Sequence, residues 1–336
     1  MPPSEPVARV ADHWFPVTAE GRTVHMPLYT TGDLLEVHPA IRRLVVVING
    51  TLRNADVYFA STVEAARAAG ADPRQVLIAV PQFLATTDAE AFSLDADTPY
   101  WKPEGWKIGD RAAHPARGPS SYTILDAIVT AVLDRDRFPA LRTVIVAGHS
   151  TGGQYVHRYI AFNRAHGPLT TAGIESRYVV ANPSSYLYFD DRRIAADGAL
   201  APYPRAACPE FNRYRYGLEE PNDYARTALA PLDSGGAGLA LAREYGRRSV
   251  AYMLGAEDSD PNNASLDKSC GAQAQGATRL ERGLRFFRYV QLLLGPAVPE
   301  TQSLHVVPGV GHDHRGMFLS TAGLALLFGD GRVHPQ

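Results

Sequence analysis

Short runs of aliphatic and β-branched residues recur along the chain, and glycine, proline or asparagine follows most of them. Such runs, separated by segments with helical periodicity, are typical of strands in a buried parallel sheet that helices cover. The pattern therefore predicts an α/β protein. The runs that we interpret as strands are 44–48, 76–80, 143–147, 178–181, 249–254 and 304–307, with a further run at 24–29 as an antiparallel edge.

Between these runs, apolar residues recur at intervals of three and four. Ser120 and Ser121 are suited to cap a helix whose apolar face contains Ile124, Ile128 and Val132. The other predicted helices are 152–163, 278–294 with Leu280, Leu284 and Phe287 on its apolar face, and 317–328, which ends at Gly329.

Two long segments follow neither the helical nor the strand period. They are 92–119, which contains Trp101 and Trp106, and 186–247, which is rich in Tyr, Arg, Pro and Gly. Segments of this length without regular structure are uncommon in compact domains unless they carry function, so we interpret both as lid or substrate-site insertions. The second predicts a cap at 186–247 within a core formed by 1–185 and 248–336.

A candidate nucleophile lies directly after the run at 143–147. Residues 148–152 read Gly-His-Ser-Thr-Gly and fit the pattern G-x-S-x-G, and a helical pattern follows them. In a nucleophile elbow, the small residues on either side of the serine allow a sharp strand-to-helix turn that projects the hydroxyl above the sheet. Ser150 is therefore the predicted nucleophile; the alternative is a serine that only caps a helix.

A serine hydroxyl needs a general base, and the base needs a carboxylate that orients it. The chain offers acidic residues after the run at 249–254, where functional residues gather in open α/β sheets. Asp258 is the preferred acid because a short turn separates it from the strand. Asp260 and Glu257 are the alternatives.

Histidines follow the last predicted strand, in the motif Gly311-His312-Asp313-His314. His312 is preferred to His314 as the base because Gly311 allows the loop to bend back over the elbow. The same motif contains residue types that bind metals, but the sequence has no second cluster with ligand spacing. We therefore expect neither a metal nor another cofactor.

The tetrahedral intermediate of acyl transfer carries an oxyanion, which needs preorganised hydrogen-bond donors. The backbone N–H of Thr151, directly after the nucleophile, is one candidate. The second is the N–H of Thr51, because Gly50 allows the loop after the run at 44–48 to turn its amides inward. An ordinary turn at this position is the alternative.

The charge balance excludes one class of partner. Lys and Arg number 33 against 35 Asp and Glu, a net charge of −2. This leaves no general basic field for a nucleic acid or an anionic membrane. No run approaches the ~20 apolar residues that span a bilayer, so we expect a soluble protein without a membrane span.

The chain has two cysteines, Cys208 and Cys270, each in a polar, turn-rich stretch. This setting favours a disulfide over two unpaired thiols. A disulfide would indicate a secreted or periplasmic protein, and unpaired thiols a cytoplasmic one.

With the motif at 148–152, Asp258 and Gly311-His312 in this order, the chain resembles the α/β-hydrolase superfamily from about 44 to 328. The resemblance implies an eight-stranded, mostly parallel sheet flanked by helices, a cap after the sixth strand, and a Ser-Asp-His triad. Family members mostly cleave esters. The chain departs from the family at Asn49-Gly50, where many members have His-Gly before the oxyanion loop.

We therefore expect a cofactor-independent serine hydrolase that cleaves a small-molecule or oligomeric carboxylic ester through an acyl-enzyme. A serine amidase or peptidase with the same triad is the alternative, and a catalytically inactive hydrolase fold that serves as a binding module is a further one. The candidate substrate-binding residues are Leu52, Trp101, Trp106 and Tyr186. Their aromatic rings would equally suit a small core within the insertions.

Overall fold

The computed structural model describes residues 5–232, 236–295, 298 and 301–330. Parts of the predicted core and cap, namely 1–4, 233–235, 296–297, 299–300 and 331–336, lie outside the described residues. The strands are β1 (Trp14–Ala19), β2 (Arg22–Thr30), β3 (Arg43–Ile48), β4 (Val76–Pro81), β5 (Leu84–Ala85), β6 (Tyr100–Trp101), β7 (Thr143–His149), β8 (Glu175–Ala181), β9 (Arg192–Ile194), β10 (Leu200–Pro202), β11 (Ser249–Gly255) and β12 (Gln302–Val307).

Helices connect most of these strands. They are α1 (Ala55–Ala68), α2 (Thr86–Phe92), α3 (Ser121–Ala131), α4 (Thr151–Phe162), α5 (His166–Thr171), α6 (Asp223–Leu229), α7 (Ala237–Gly246), α8 (Cys270–Gln273), α9 (Arg279–Leu294), α10 (His314–Leu319) and α11 (Thr321–Phe328). In the described part of the chain, no helix is both long and apolar enough to cross a membrane.

Eight strands form one central sheet in the order β1-β2-β4-β3-β7-β8-β11-β12. From β4 to β12 all neighbouring strands are parallel, whereas β2 is antiparallel to β4 and to β1. The predicted fold class, an α/β protein with a mostly parallel eight-stranded sheet flanked by helices, is confirmed. The position of the edge was wrong: the strand predicted at 24–29 is second from the edge, because β1 pairs outside it.

The sheet separates two hydrophobic cores, and this explains the continuous apolar runs. Leu44, Val46 and Ile48 of β3 point into one core, while Val45 and Val47 point into the other. A strand covered by helices on both faces needs apolar side chains at every position rather than at alternate ones. Accordingly, β7 is buried along its whole length.

The helix predicted at 278–294 forms, but its buried face differs from the predicted one. Thr278 caps α9 by accepting a hydrogen bond from the Glu281 N–H. Leu284 is 41% exposed, whereas Arg282 and Phe286 are buried. Arg282 does not count as apolar in the sequence pattern, so the pattern gives no sign that it is buried. Its burial is possible because its guanidinium donates to the carbonyl oxygens of residues 184, 267 and 276.

The last predicted helix is two helices. Ser320 ends α10 and caps α11, where its hydroxyl accepts a hydrogen bond from the Gly323 N–H. A continuous apolar pattern does not reveal this break, because both helices bury residues in the same core, Phe318 from the first and Leu327 from the second.

The segment between β8 and β11 contains the predicted cap. Its first residues, 186–189, are buried in the larger core, and β9, β10, α6 and α7 follow. The boundaries of a cap at 186–247 stay a prediction. Cys208 of this segment forms a disulfide with Cys270, the first residue of α8. The bond ties the segment to the connection between β11 and α9.

Candidate active site

Ser150 lies in the sharp turn between β7 and α4. Its backbone has φ 59° and ψ −120°, a strained conformation for a residue with a side chain. A Cβ on Gly148 would overlap the Gly152 carbonyl, and a Cβ on Gly152 would overlap the Ile48 carbonyl. The Ser150 N–H donates to the Ala181 carbonyl at 2.9 Å. The glycines are therefore required because the turn is packed directly between the ends of β3 and β8.

The structure brings Ser150, His312 and Asp258 into one hydrogen-bonded chain. His312 Nδ1 lies 2.7 Å from Asp258 Oδ2, and His312 Nε2 lies 2.8 Å from Ser150 Oγ. A carboxylate accepts hydrogen bonds, so Nδ1 carries the ring proton and Nε2 accepts from the serine hydroxyl. The Asp258 side chain is 3% exposed and that of His312 is 16% exposed. The serine hydroxyl thus faces a basic nitrogen at the edge of solvent.

A buried arginine holds the other oxygen of the acid. Arg279 Nη1 lies 3.1 Å from Asp258 Oδ1, and the same guanidinium donates to Ser184 Oγ and Ser265 Oγ. Burial lowers the pKa of Arg279, and the Asp258 carboxylate opposes that shift. The sequence does not point to Arg279, since an arginine at the start of an amphipathic helix carries no signal of its own.

The alternative acids and the alternative base lie elsewhere. Glu257 and Asp260 are exposed, and Asp260 accepts a hydrogen bond from the Asn262 N–H. His314 stacks on Tyr58, with ring centroids 4.0 Å apart, and its Nε2 lies 3.0 Å from Ser61 Oγ. None of these three contacts the His312 ring through a hydrogen bond. Among the described residues, no group of three or more His, Cys, Asp or Glu side chains is arranged to hold a metal ion.

The loop after β3 lies against the elbow. A Cβ on Gly50 would be 3.7 Å from the Ser150 Cβ. The backbone N–H groups of Thr51 and Thr151 donate to no other group in the described part of the chain. These are the two predicted oxyanion donors, and the packing of Gly50 and Gly152 places their loops side by side.

Two side chains support this loop, those of Asn49 and Arg53. Asn49 Nδ2 donates to the Gly50 carbonyl at 2.9 Å. Arg53 has a positive φ of 56° and forms a fully buried bidentate ion pair with Asp88, at 2.7 and 2.9 Å. Neither Arg53 nor Asp88 was selected from the sequence, because the two are distant along the chain.

His149, the residue before the nucleophile, is also buried. Its ring centroid lies 4.7 Å from that of His312, and its Nδ1 lies 3.1 Å from the Tyr58 hydroxyl. Burial lowers the pKa of His149 well below its ordinary value, and the neighbouring His312, His314 and Arg279 lower it further. The ring is therefore neutral at physiological pH.

Three of the four predicted substrate-binding residues are buried, and substrate binding by them stays a prediction. Trp101, Trp106 and Tyr186 are each at most 1% exposed. Trp106 stacks on Phe83, and the alternative interpretation, rings that form a core, describes their packing. Leu52 is 57% exposed in the loop that contains Thr51.

Comparison with known proteins gives structural matches only. The sequence matches no model of a known protein family and no curated protein. LpqC, a poly(3-hydroxybutyrate) depolymerase from Bordetella parapertussis, is 22% identical with a TM-score of 0.60, over 97% of this chain and 93% of that chain. Poly(aspartic acid) hydrolase-1 from Sphingomonas sp. KT-1 is 22% identical with a TM-score of 0.58, over 96% of this chain and 99% of that chain. At this identity, the similarity shows a shared fold.

Proposed function

We propose that this chain, which has the α/β-hydrolase fold, is a serine hydrolase that cleaves carboxylic esters through an acyl-enzyme. The observation that carries the proposal is the continuous hydrogen-bonded chain from Asp258 through His312 to Ser150. Nucleophile, base and orienting acid at hydrogen-bond distance form the constellation that activates a serine hydroxyl.

In the first half of the reaction, Ser150 Oγ attacks the ester carbonyl carbon while His312 Nε2 takes the hydroxyl proton. Asp258 keeps the imidazole oriented and stabilises the imidazolium that forms. The backbone N–H groups of Thr51 and Thr151 bind the oxyanion of the tetrahedral intermediate. When the intermediate collapses, His312 gives its proton to the leaving alcohol, and the acyl group stays on Ser150.

In the second half, water attacks the acyl-enzyme. His312 Nε2 now takes a proton from this water, and a second tetrahedral intermediate forms in the same oxyanion site. Its collapse breaks the bond to Ser150 Oγ, which recovers its proton from His312. The acid product leaves, and the enzyme returns to its starting protonation state without any cofactor in the cycle.

The two structural neighbours named above support acyl transfer, and their substrates contain two different types of bond. One acts on poly(3-hydroxybutyrate), whose units are joined by esters, and the other on poly(aspartic acid), whose units are joined by amides. We propose a small-molecule or oligomeric ester as the substrate. The second neighbour favours one alternative, a serine amidase or peptidase with the same triad.

The test is intact-mass spectrometry after treatment with a small fluorophosphonate. We expect one adduct on the wild type and on Ser303→Ala, a control serine on β12, and none on Ser150→Ala. A panel of nitrophenyl esters and matched nitroanilides then separates esterase from amidase activity, with faster ester turnover expected. A folded wild type that forms no adduct contradicts the proposal and favours a binding module.

A further inference from the structure

Asn182 directly follows β8, at the carboxyl ends of the parallel strands, and β8 lies between β7 and β11. It is 1% exposed and has a positive φ of 44°. Asparagine is among the few residues other than glycine that adopt this conformation readily, and its side chain has both donor and acceptor groups. A buried amide of this kind needs partners for all of its polar atoms.

The partners of the Asn182 amide belong to three different segments, the last residues of β7 and β11 and the loop after β12. Oδ1 accepts from the Gly255 N–H at 2.7 Å, and Nδ2 donates to the Gly311 carbonyl at 3.1 Å. Nδ2 also lies 3.5 Å from His149 Nε2. In the sequence, His149 directly precedes Ser150, Gly311 directly precedes His312, and Gly255 begins the turn that leads to Asp258.

Through His149, the contacts of the Asn182 amide extend to the loop after β3. Nδ1 of the same His149 ring lies 3.1 Å from the Tyr58 hydroxyl. Tyr58 in turn lies against Gly50, where an added Cβ would be 2.7 Å from its hydroxyl oxygen. Asn182 is thus linked to the loops of the nucleophile, the acid, the base and the oxyanion donor Thr51.

The ladders that join β8 to its two neighbours end at the pairs His149–Ala181 and Met253–Ala181. Pairing between β11 and β12 continues to Gly255–Val307, and Glu257 N–H donates to the Val310 carbonyl, so the loops of the acid and the base are also joined directly. The Asn182 amide adds a connection from the end of β8 to both of them and to His149. Catalytic side chains tolerate only displacements well under 1 Å before the rate falls. A side chain one residue beyond β8 reaches the loops on both sides.

We propose that Asn182 is a positioning residue of the triad, whose amide holds the loops of Ser150, Asp258 and His312 in register. The proposal rests on the proposed serine hydrolase function and deepens it. Asn182 touches no reacting atom and acts only by holding these loops in place. Its loss therefore misaligns the catalytic groups and slows the chemical step, while substrate binding stays largely unchanged.

The test uses two substitutions at this position. Asn182→Gly keeps the backbone conformation and removes the amide. Asn182→Asp keeps the shape and the acceptor for Gly255, but replaces the donor that faces Gly311 and His149 by an oxygen. We expect both to lower kcat on a nitrophenyl ester on the order of 10- to 100-fold with little change in KM, and to slow fluorophosphonate labelling by a similar factor.

Asn163→Ala is the matched control. Asn163 is also a buried amide, which accepts from the His166 N–H and donates to the Tyr159 carbonyl at the opposite end of α4 from Ser150. We expect this variant to lose stability and to keep the wild-type kcat. An equal loss of kcat in this control would show a general effect of destabilisation and overturn the role of Asn182.

The outcomes separate the two proposals. A folded wild type that the fluorophosphonate does not label overturns the proposed function, and the role of Asn182 with it. A wild type that is labelled, with Asn182→Gly or Asn182→Asp labelled at the same rate, overturns only the positioning role. If the glycine variant does not fold, the isosteric aspartate variant decides the question.

Discussion

The guanidinium of Arg279 lies 3.1 Å from Asp258 Oδ1, the carboxylate oxygen that does not contact His312. The two side chains are 1% and 3% exposed. The Asp258 carboxylate is thus held from both sides, by His312 and by the guanidinium of the first residue of α9. A carboxylate that is buried in this way depends on its charged partner, since water cannot replace it.

The substitution Arg279→Met is expected to lower both stability and kcat. It leaves the Asp258 carboxylate buried without its cation, which costs about 3–5 kcal/mol of unfolding free energy. Urea denaturation and turnover of a nitrophenyl ester measure the two effects. Arg285→Met is the control on the same helix: its ion pair with Glu281 is about one third exposed on each side and contributes at most about 1 kcal/mol. If Arg279→Met proves as stable as this control, the prediction is contradicted.

Asparagine substitutions at the two neighbouring aspartates distinguish the acid of the triad. Asp258→Asn removes the charge that orients His312 and is expected to lower kcat about 10⁴-fold. Asp260→Asn changes an exposed residue whose carboxylate accepts from the Asn262 N–H in its own turn, so kcat stays near the wild-type value. Both variants are compared on the same ester at saturating concentration. The assignment fails if Asp260→Asn has the larger effect.

Stability is expected to fall on acidification because two histidines are buried in the neutral form. His157 accepts from the Leu187 N–H, and burial lowers the pKa of this ring to about 3. Burial also lowers the pKa of His149. In the unfolded chain both take up a proton near pH 6.5, so the unfolded state binds more protons below that pH. Each histidine contributes a slope of at most about 1.4 kcal/mol per pH unit, with stability rising with pH.

Urea denaturation between about pH 7.5 and about pH 5 measures this slope. His157→Gln keeps an acceptor for Leu187 and removes the titrating ring, so its stability declines less steeply with acid than that of the wild type. An identical slope in the variant would show that His157 does not stay neutral in the folded protein.

The disulfide is expected to contribute to stability through the loop that it closes. Cys208 and Cys270 are 62 positions apart, and a bond across such a loop contributes about 2–5 kcal/mol by restricting the unfolded chain. The double variant Cys208→Ser, Cys270→Ser should therefore unfold at lower urea concentration. Thiol titration of the denatured, unreduced wild type is the independent check, and two reactive thiols would refute the bond.

Part of the candidate site was predictable because its signal is local. The turn at 148–152 has no room for a Cβ at Gly148 or Gly152. Because these glycines lie within five consecutive residues, the sequence shows the motif directly. The fully apolar strands were also predictable from local sequence, because a strand that is buried on both faces appears as a continuous apolar run. The face of α9 was not, because Arg282 is buried against carbonyl groups that come from distant segments.

The sequence by itself determined the class of fold, the positions of the parallel strands and the order of serine, acid and histidine along the chain. Only the tertiary structure decided that Asp258 rather than Asp260 faces His312, that Trp101 and Trp106 lie in the core, and that Arg279 and Asn182 adjoin the site. The physical reason is that contacts between loops depend on which strands are neighbours in the sheet. The order β7-β8-β11-β12 brings together side chains that are far apart in the chain, and no periodicity within any one segment records it.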